Sequence, residues 1–219
     1  QQTQKEEIDG VMMPNRCLAD FIAPKTNKTN KTNLIANNEA ETRTSGQIDS
    51  NKPDYIGVFA VTAGLGIEKW EQAFLAAHDD YSAIMLKALA DRLAEAFAEY
   101  LHHRVRTDLW GYAPSEALTA HDLIAEKYTG IRPAPGYPAC PDHSVKKDMF
   151  ALLQCEDIGM TVTESLAMSP AASVSGFYMA HPDATYFNVG KIGEDQLNDM
   201  ATRRGMPAQT LRRYLGPNL

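Results

Sequence analysis

Asp79-Asp-Tyr-Ser-Ala-Ile-Met-Leu-Lys-Ala-Leu-Ala-Asp-Arg-Leu-Ala-Glu-Ala-Phe-Ala-Glu-Tyr-Leu-His-His-Arg-Val-Arg106 contains no glycine and no proline. Met85, Leu89, Leu93, Ala96, Phe97 and Tyr100 recur in it at steps of three and four. That period predicts one amphipathic helix of about 27 residues, roughly 40 Å long, packing through this apolar stripe. Asp79 and Asp80 stand at its start, and His102, His103, Arg104 and Arg106 sit in its last turns. Acid first and base last suits the helix dipole, and the His102-His103 pair reads as a solvated helix terminus with no ligand role.

The flanking segments set the fold class. Residues 55–62 are short, apolar and rich in β-branched and aromatic side chains, the pattern of a strand buried on both faces. Thr119 and Asp122 form a capping-box pattern that opens a short helix ending near Gly130. A proline-rich loop over 131–141 leads to a helix over about 145–156, which packs through Met149, Phe150, Leu152 and Leu153. Residues 160–166, 173–180 and 185–192 read as strands between Pro and Gly breaks. Two short helices follow, near 194–204 and 207–215, the second opened by Pro207. Strands and helices cluster unevenly instead of alternating, so the class is α+β.

Composition bounds the function. The chain has 219 residues, 21 basic against 28 acidic, for a net charge of -7. Phosphate backbones require a positive stripe, so nucleic acid is excluded as the main partner. No apolar run reaches the ~18 residues of a membrane span. Three cysteines, Cys17, Cys140 and Cys155, are odd in number and widely spaced, which favours a reducing cytoplasm over a disulfide framework. The chain opens on Gln1-Gln2-Thr3 with neither an initiator methionine nor a signal core, as expected of a piece of something longer. Lys-Thr-Asn repeats open a polar stretch, residues 25–52, that cannot bury enough surface to order itself and reads as a surface insertion. It is read first as a tolerated surface insertion. The alternative is that its lysines form a docking spot for an acidic electron-transfer protein.

Three short signals are weak. Gly64-Leu-Gly66 follows a strand, but Lys69 stands where a dinucleotide fingerprint needs its third glycine. Cys140 and His143 make half of a zinc site and lack the other half. No nucleophile elbow and no His-Glu-x-x-His pattern occurs.

Two other signals carry more. Asp91, Glu95 and Glu99 follow one another at four-residue steps and form one acidic stripe, whose mutual repulsion calls for a cation opposite. Either the stripe is a solvated face with Arg92 as compensation, or Glu95 points at a cationic ligand. Gly130-Ile-Arg132-Pro-Ala134-Pro-Gly136-Tyr137-Pro-Ala-Cys140-Pro-Asp-His143 is stiffened by four prolines. Arg132 in such a loop is a preorganised fork for a carboxylate, and backbone groups near Ala134 and Tyr137 can read a planar base. The bland alternative is a rigid connector between helices.

Residues 87–99, the loop 130–143 and Leu166-Ala-Met-Ser-Pro-Ala-Ala-Ser-Val-Ser-Gly176 together resemble the activation domain of cobalamin-dependent methionine synthase. The resemblance runs from about Pro14 to Leu219. It implies one C-shaped α+β domain over residues 1–219, with a twisted, largely antiparallel sheet and a long central helix. It also implies binding of S-adenosylmethionine and donation of its methyl group for reductive methylation of cob(II)alamin to methylcobalamin. The implied partners are a cobalamin-binding domain of the same chain, which holds most of the cobalamin, and a flavodoxin-type electron donor. Arg132 matches the family's contact to the ligand carboxylate; Ala134 and Tyr137 match positions against the nucleoside. Asp20 matches an acidic ligand contact, and Tyr186 with Phe187 a further contacting pair. Glu95 and Glu126 match acids near the ligand's positive end. Two other readings remain open: a stand-alone S-adenosylmethionine sensor without chemistry, and a free methyltransferase with its own acceptor.

Overall fold

The computed structural model describes residues 7–8, 10–12, 16–23 and 54–219. The insertion expected over 25–52, with its docking lysines, lies outside the described residues.

Strands β1 (Glu7–Ile8) and β2 (Val11–Met12) form a minimal antiparallel pair, followed by a 3-10 turn at Leu18–Phe21. Strand β3 (Gly57–Thr62) takes up the run expected over 55–62 except for Tyr55 and Ile56, which are exposed ahead of it. Helices α1 (Glu68–Ala76) and α2 (Asp80–Arg104) come next, and α2 passes directly into a π turn at Val105–Leu109. Then follow α3 (Ala120–Ile124), α4 (Val145–Leu152), the hairpin β4 (Thr161–Val162) with β5 (Met168–Ser169), and β6 (Ser173–Tyr178). Helices α5 (Glu194–Arg204) and α6 (Ala208–Tyr214) close the order.

The centre is an antiparallel β3–β6 ribbon, in register from Gly57 opposite Tyr178 to Thr62 opposite Ser173. The backbone of 131–133 runs along the far side of β6: Ile131 and Met179 exchange N–H···O bonds of 2.9 and 3.0 Å, and Phe177 N–H donates to Pro133 O at 2.9 Å. Alternation along β3 explains its apolar composition. Phe59 and Val61 join Tyr178, Ala98 and Val105 on the α2 side. Val58 and Ala60 pack toward Met149, Phe150, Cys155 and Met160 on the α4 side. Both faces are packed, the α2 side fully buried at Phe59 and Val61 and the α4 side only partly buried at Val58 and Ala60.

Helix α2 has the expected extent but turns a different, adjacent face to the core. Asp79 caps it, its carboxylate accepting from Ser82 N–H at 3.0 Å. The buried residues are Ala83, Ala90, Ala94, Ala98 and His102, whereas Met85, Leu89, Leu93, Phe97 and Tyr100 are exposed. Small side chains let the helix backbone lie close to the ribbon, and the larger apolar side chains point away from it. His102 is the second correction: it is fully buried, not solvated.

Other elements are shorter than their patterns suggest. Gln154 adopts a left-handed conformation, so α4 stops at Leu152, which is exposed along with Leu153. Helix α3 ends early because Glu126 turns left-handed, with Lys127 N–H returning to Asp122 O at 3.0 Å. The strand expected over 160–166 folds back into the β4–β5 hairpin at Leu166, also at positive φ. Residues 185–192 form no strand; Asn188 Oδ1 accepts from Gly190 N–H at 2.8 Å and bends the chain there. No helix of the described residues is long and apolar enough to cross a membrane.

Candidate functional site

A cavity of ≈ 480 Å³ opens where α2, the 126–139 segment and residues 186–188 meet above the ribbon. Glu95 from α2 and Glu126 from the end of α3 supply its carboxylates, and Arg132 its guanidinium. Tyr137, Tyr186 and Phe187 supply aromatic walls; Ala134 and flanking prolines supply the loop side. Seven of the eight residues named from the sequence pattern or the resemblance therefore line one cavity, though they come from three separated segments. Asp20 does not line it. Its carboxylate accepts from Cys17 N–H at 2.8 Å, and the adjoining Phe21 ring lies 6.3 Å from that of Phe187.

The proline loop is held on several sides. Gly136 N–H donates to Cys140 O at 2.7 Å and Cys140 N–H to Tyr137 O at 2.9 Å. Gly136 sits at φ +96°, and a Cβ there would lie 2.0 Å from the His143 ring. Gly130, at φ +80°, approaches so closely that a Cβ would fall 2.4 Å from Met179 O. These two glycines let the segment lie against β6 and fold back on itself. At the far end, Arg204 of α5 pairs with Asp142 and donates to Ser144 Oγ at 3.0 Å. These bonds decide which backbone donors the loop keeps free. The Tyr137 N–H is used within the turn, whereas its C=O accepts one bond and keeps a second lone pair; the Ala134 N–H takes no part in the turn.

Behind Arg132 lies a polar network that the sequence pattern did not assemble. Arg132 Nη2 donates to Glu99 Oε2 at 2.8 Å. Arg106, fully buried, grips Glu116 with Nε–Oε2 at 2.6 Å and Nη2–Oε1 at 2.7 Å, and its Nη1 lies 3.9 Å from Glu99 Oε1. Burial by itself would raise the Glu116 carboxyl, but hydrogen bonds from Arg106 and His103 bring it below its ordinary range. For Arg132, burial works against its charge, yet Glu99 and the nearby phenols raise its pKa above the usual arginine value. The Arg106 guanidinium also stands 4.5 Å from the centre of the Tyr128 ring. Tyr128 OH meets Tyr186 OH at 3.3 Å, and Tyr186 OH accepts from Arg132 N–H at 3.0 Å. His102 stacks on Tyr178 at 5.2 Å and meets Tyr128 edge-on at 5.0 Å. Desolvation, with Arg106 and Arg132 nearby, lowers its pKa to about 2, so it is neutral at physiological pH.

The acidic stripe on α2 thus has its cation. Glu99 faces Arg132 of the same chain, Glu95 faces the cavity, and Asp91 is exposed. The four-residue spacing signalled that a positive group was needed; it did not say that Glu99 was the residue to meet it.

The Gly64–Gly66 turn resolves into packing. A Cβ on Gly64 would meet Pro170 at 2.6 Å, and Ala63 N–H donates to Ala172 O at 3.0 Å, so this turn seats against the 170–172 backbone. Burial pushes the Cys140 thiol up to about 11, and among the described residues no three His, Cys, Asp or Glu side chains gather as a metal site.

Residues 1–205 match the family model described as vitamin B12 dependent methionine synthase, activation domain. The chain belongs to this family. It is also similar to a solved structure, a crystal structure of the MetH reactivation domain bound to AdoHcy, at 58% identity and a TM-score of 0.75. That match covers 78% of this chain and 53% of the other, so the chain spans about half the length of this relative.

Proposed function

We propose that the chain binds S-adenosylmethionine in the cavity above the ribbon and presents its methyl group for the reductive methylation of cob(II)alamin in methionine synthase. One observation carries this reading: Glu95, Arg132, Ala134 and Tyr137, read from the sequence pattern, converge with Glu126, Tyr186 and Phe187, implied by the resemblance, on a single cavity that pairs one guanidinium with two carboxylates. The volume lies within the ~300–1,000 Å³ typical of small-molecule sites. The donor set fits the ligand's charges. A carboxylate belongs beside Arg132, while an ammonium and a sulfonium are stabilised by Glu95 and Glu126. Tyr137, Tyr186 and Phe187 offer faces for a purine, and the Ala134 amide a donor for its edge. Asp20 acts from the Leu18–Phe21 turn, a role supported by the nearness of Phe21 to Phe187.

Cobalamin, held mainly by another domain of the full-length chain, supplies the metal centre that accepts the methyl group. The cavity residues serve to position the donor. They fix the sulfonium, exclude the wrong orientation and leave the methyl accessible. Positioning of this kind requires no acid–base pair. The electron comes from a flavodoxin-type donor, and the compartment is the cytoplasm.

Calorimetry is expected to show one S-adenosylmethionine per chain, and Arg132→Ala to weaken binding by about 2 kcal/mol or more through loss of a charge-assisted pair. Equal affinity in the variant overturns the assignment of Arg132. Tight binding without methyl transfer from labelled donor, in the full-length enzyme with reduced flavodoxin, favours the sensor reading instead.

A further inference from the structure

We propose that Glu99 is a positioning residue for Arg132, the cavity end of a four-charge chain Glu116–Arg106–Glu99–Arg132, and that it sets selectivity for ligands bearing a carboxylate. The inference rests on the binding function proposed above and adds a residue that does not itself line the cavity.

The charges alternate along the chain and sum to zero. Glu116 accepts two hydrogen bonds from Arg106, and Glu99 accepts one from Arg132 at 2.8 Å. Between these pairs, Arg106 Nη1 and Glu99 Oε1 stand 3.9 Å apart, and both atoms are buried without a hydrogen-bond partner among the described residues. They are too far apart to bond directly, so charge attraction alone connects the two halves. Arg132 Nε is likewise buried and unpartnered among the described residues.

This arrangement has a directional consequence. An arginine side chain has many rotamers, and a ligand that must order it loses affinity in proportion. Tying Nη2 to Glu99 and the Arg132 N–H to Tyr186 OH fixes both ends of the residue before a ligand arrives. Glu99 is itself held by the helix and attracted by Arg106, which cannot swing away because Glu116 and the Tyr128 ring fix it. The guanidinium end of the fork is therefore oriented by Glu99, Arg106 and Glu116, none of which lines the cavity. Only a ligand group that uses the fork can benefit. A carboxylate does; an adenosine moiety does not.

Glu99→Gln keeps the side-chain shape and removes the charge, so it separates positioning from bulk packing. Two probes report on it: S-adenosylhomocysteine, which carries the carboxylate, and 5′-methylthioadenosine, which shares the nucleoside and thioether but lacks the amino-acid end. Glu99→Gln is expected to weaken the first about tenfold and leave the second within about twofold. Equal loss of both probes, no loss of either, or tighter binding of S-adenosylhomocysteine overturns the proposal. Should Glu99→Gln fail to show a cooperative unfolding transition, Glu99→Asp decides on the same pair of probes, because it keeps the charge but withdraws it by one methylene. Failure of the unaltered chain to bind either probe refutes the binding function instead.

Discussion

Replacing His102 by phenylalanine tests the buried network through its dependence on pH. The ring is fully buried between Tyr178 and Tyr128, and its pKa falls to about 2. In the unfolded chain the same imidazole titrates near 6.5. Between these values the unfolded state binds one proton more than the folded state, so acid favours unfolding. The stabilising contribution is complete above the unfolded pKa and is lost progressively as the pH falls below it. The slope approaches about 1.4 kcal/mol per pH unit, and the drop from about pH 7 to about pH 5.5 amounts to about 1.2 kcal/mol. For a chain of this length that corresponds to a fall of about 3 °C in Tm. His102→Phe preserves a flat ring for both tyrosines and removes the titration; its loss of the 3.4 Å contact from Tyr112 OH is small. Urea unfolding of both proteins at the two pH values isolates the effect, since every other titrating group is common to them. The original chain should lose about 1.2 kcal/mol more than the variant on acidification. Parallel losses would mean that His102 is protonated in the fold, and the account of its burial would be wrong.

The packing of α2 predicts an inverted pattern of tolerance. Ala98→Leu, against Phe59 and Tyr178, should cost about 1–3 kcal/mol by overpacking, whereas Leu93→Gln on the exposed side should change stability by less than about 0.5 kcal/mol; denaturant midpoints check both. Gly136→Ala combines a φ of +96° with a Cβ 2.0 Å from the His143 ring, and should lower stability by about 1–3 kcal/mol in the same measurement.

Much of the fold and of the cavity is legible in the sequence, for physical reasons that differ from residue to residue. The length of α2 follows from its uninterrupted helical period and from Asp79 as a cap, and both are local properties. Its buried face is not legible. Two stripes share the helical period, one of alanines and one of larger apolar residues, and a reading by hydrophobicity selects the larger. The ribbon selects the smaller because the backbone comes close to it. His102 is misread for the same reason, since its position continues the alanine stripe at the four-residue step from Ala98. The proline loop announces itself through composition and carries Arg132, Ala134 and Tyr137 to the cavity as expected. Residues 185–192 look strand-like, but the Asn188–Gly190 bend shows that a short local hydrogen bond can end a β pattern. The link from Glu99 to Arg132 spans 33 residues and depends on how the helix lies over the ribbon, so no local pattern encodes it.

The alanine seam works as a shim. Its thickness fixes the height at which α2 rides, and that height determines whether a carboxylate on the helix can meet a guanidinium on the loop. A bulkier spacer anywhere from Ala90 to Ala98 would jack the helix upward and pull Glu99 off Arg132, detuning the cavity from a distance without altering a single group that lines it.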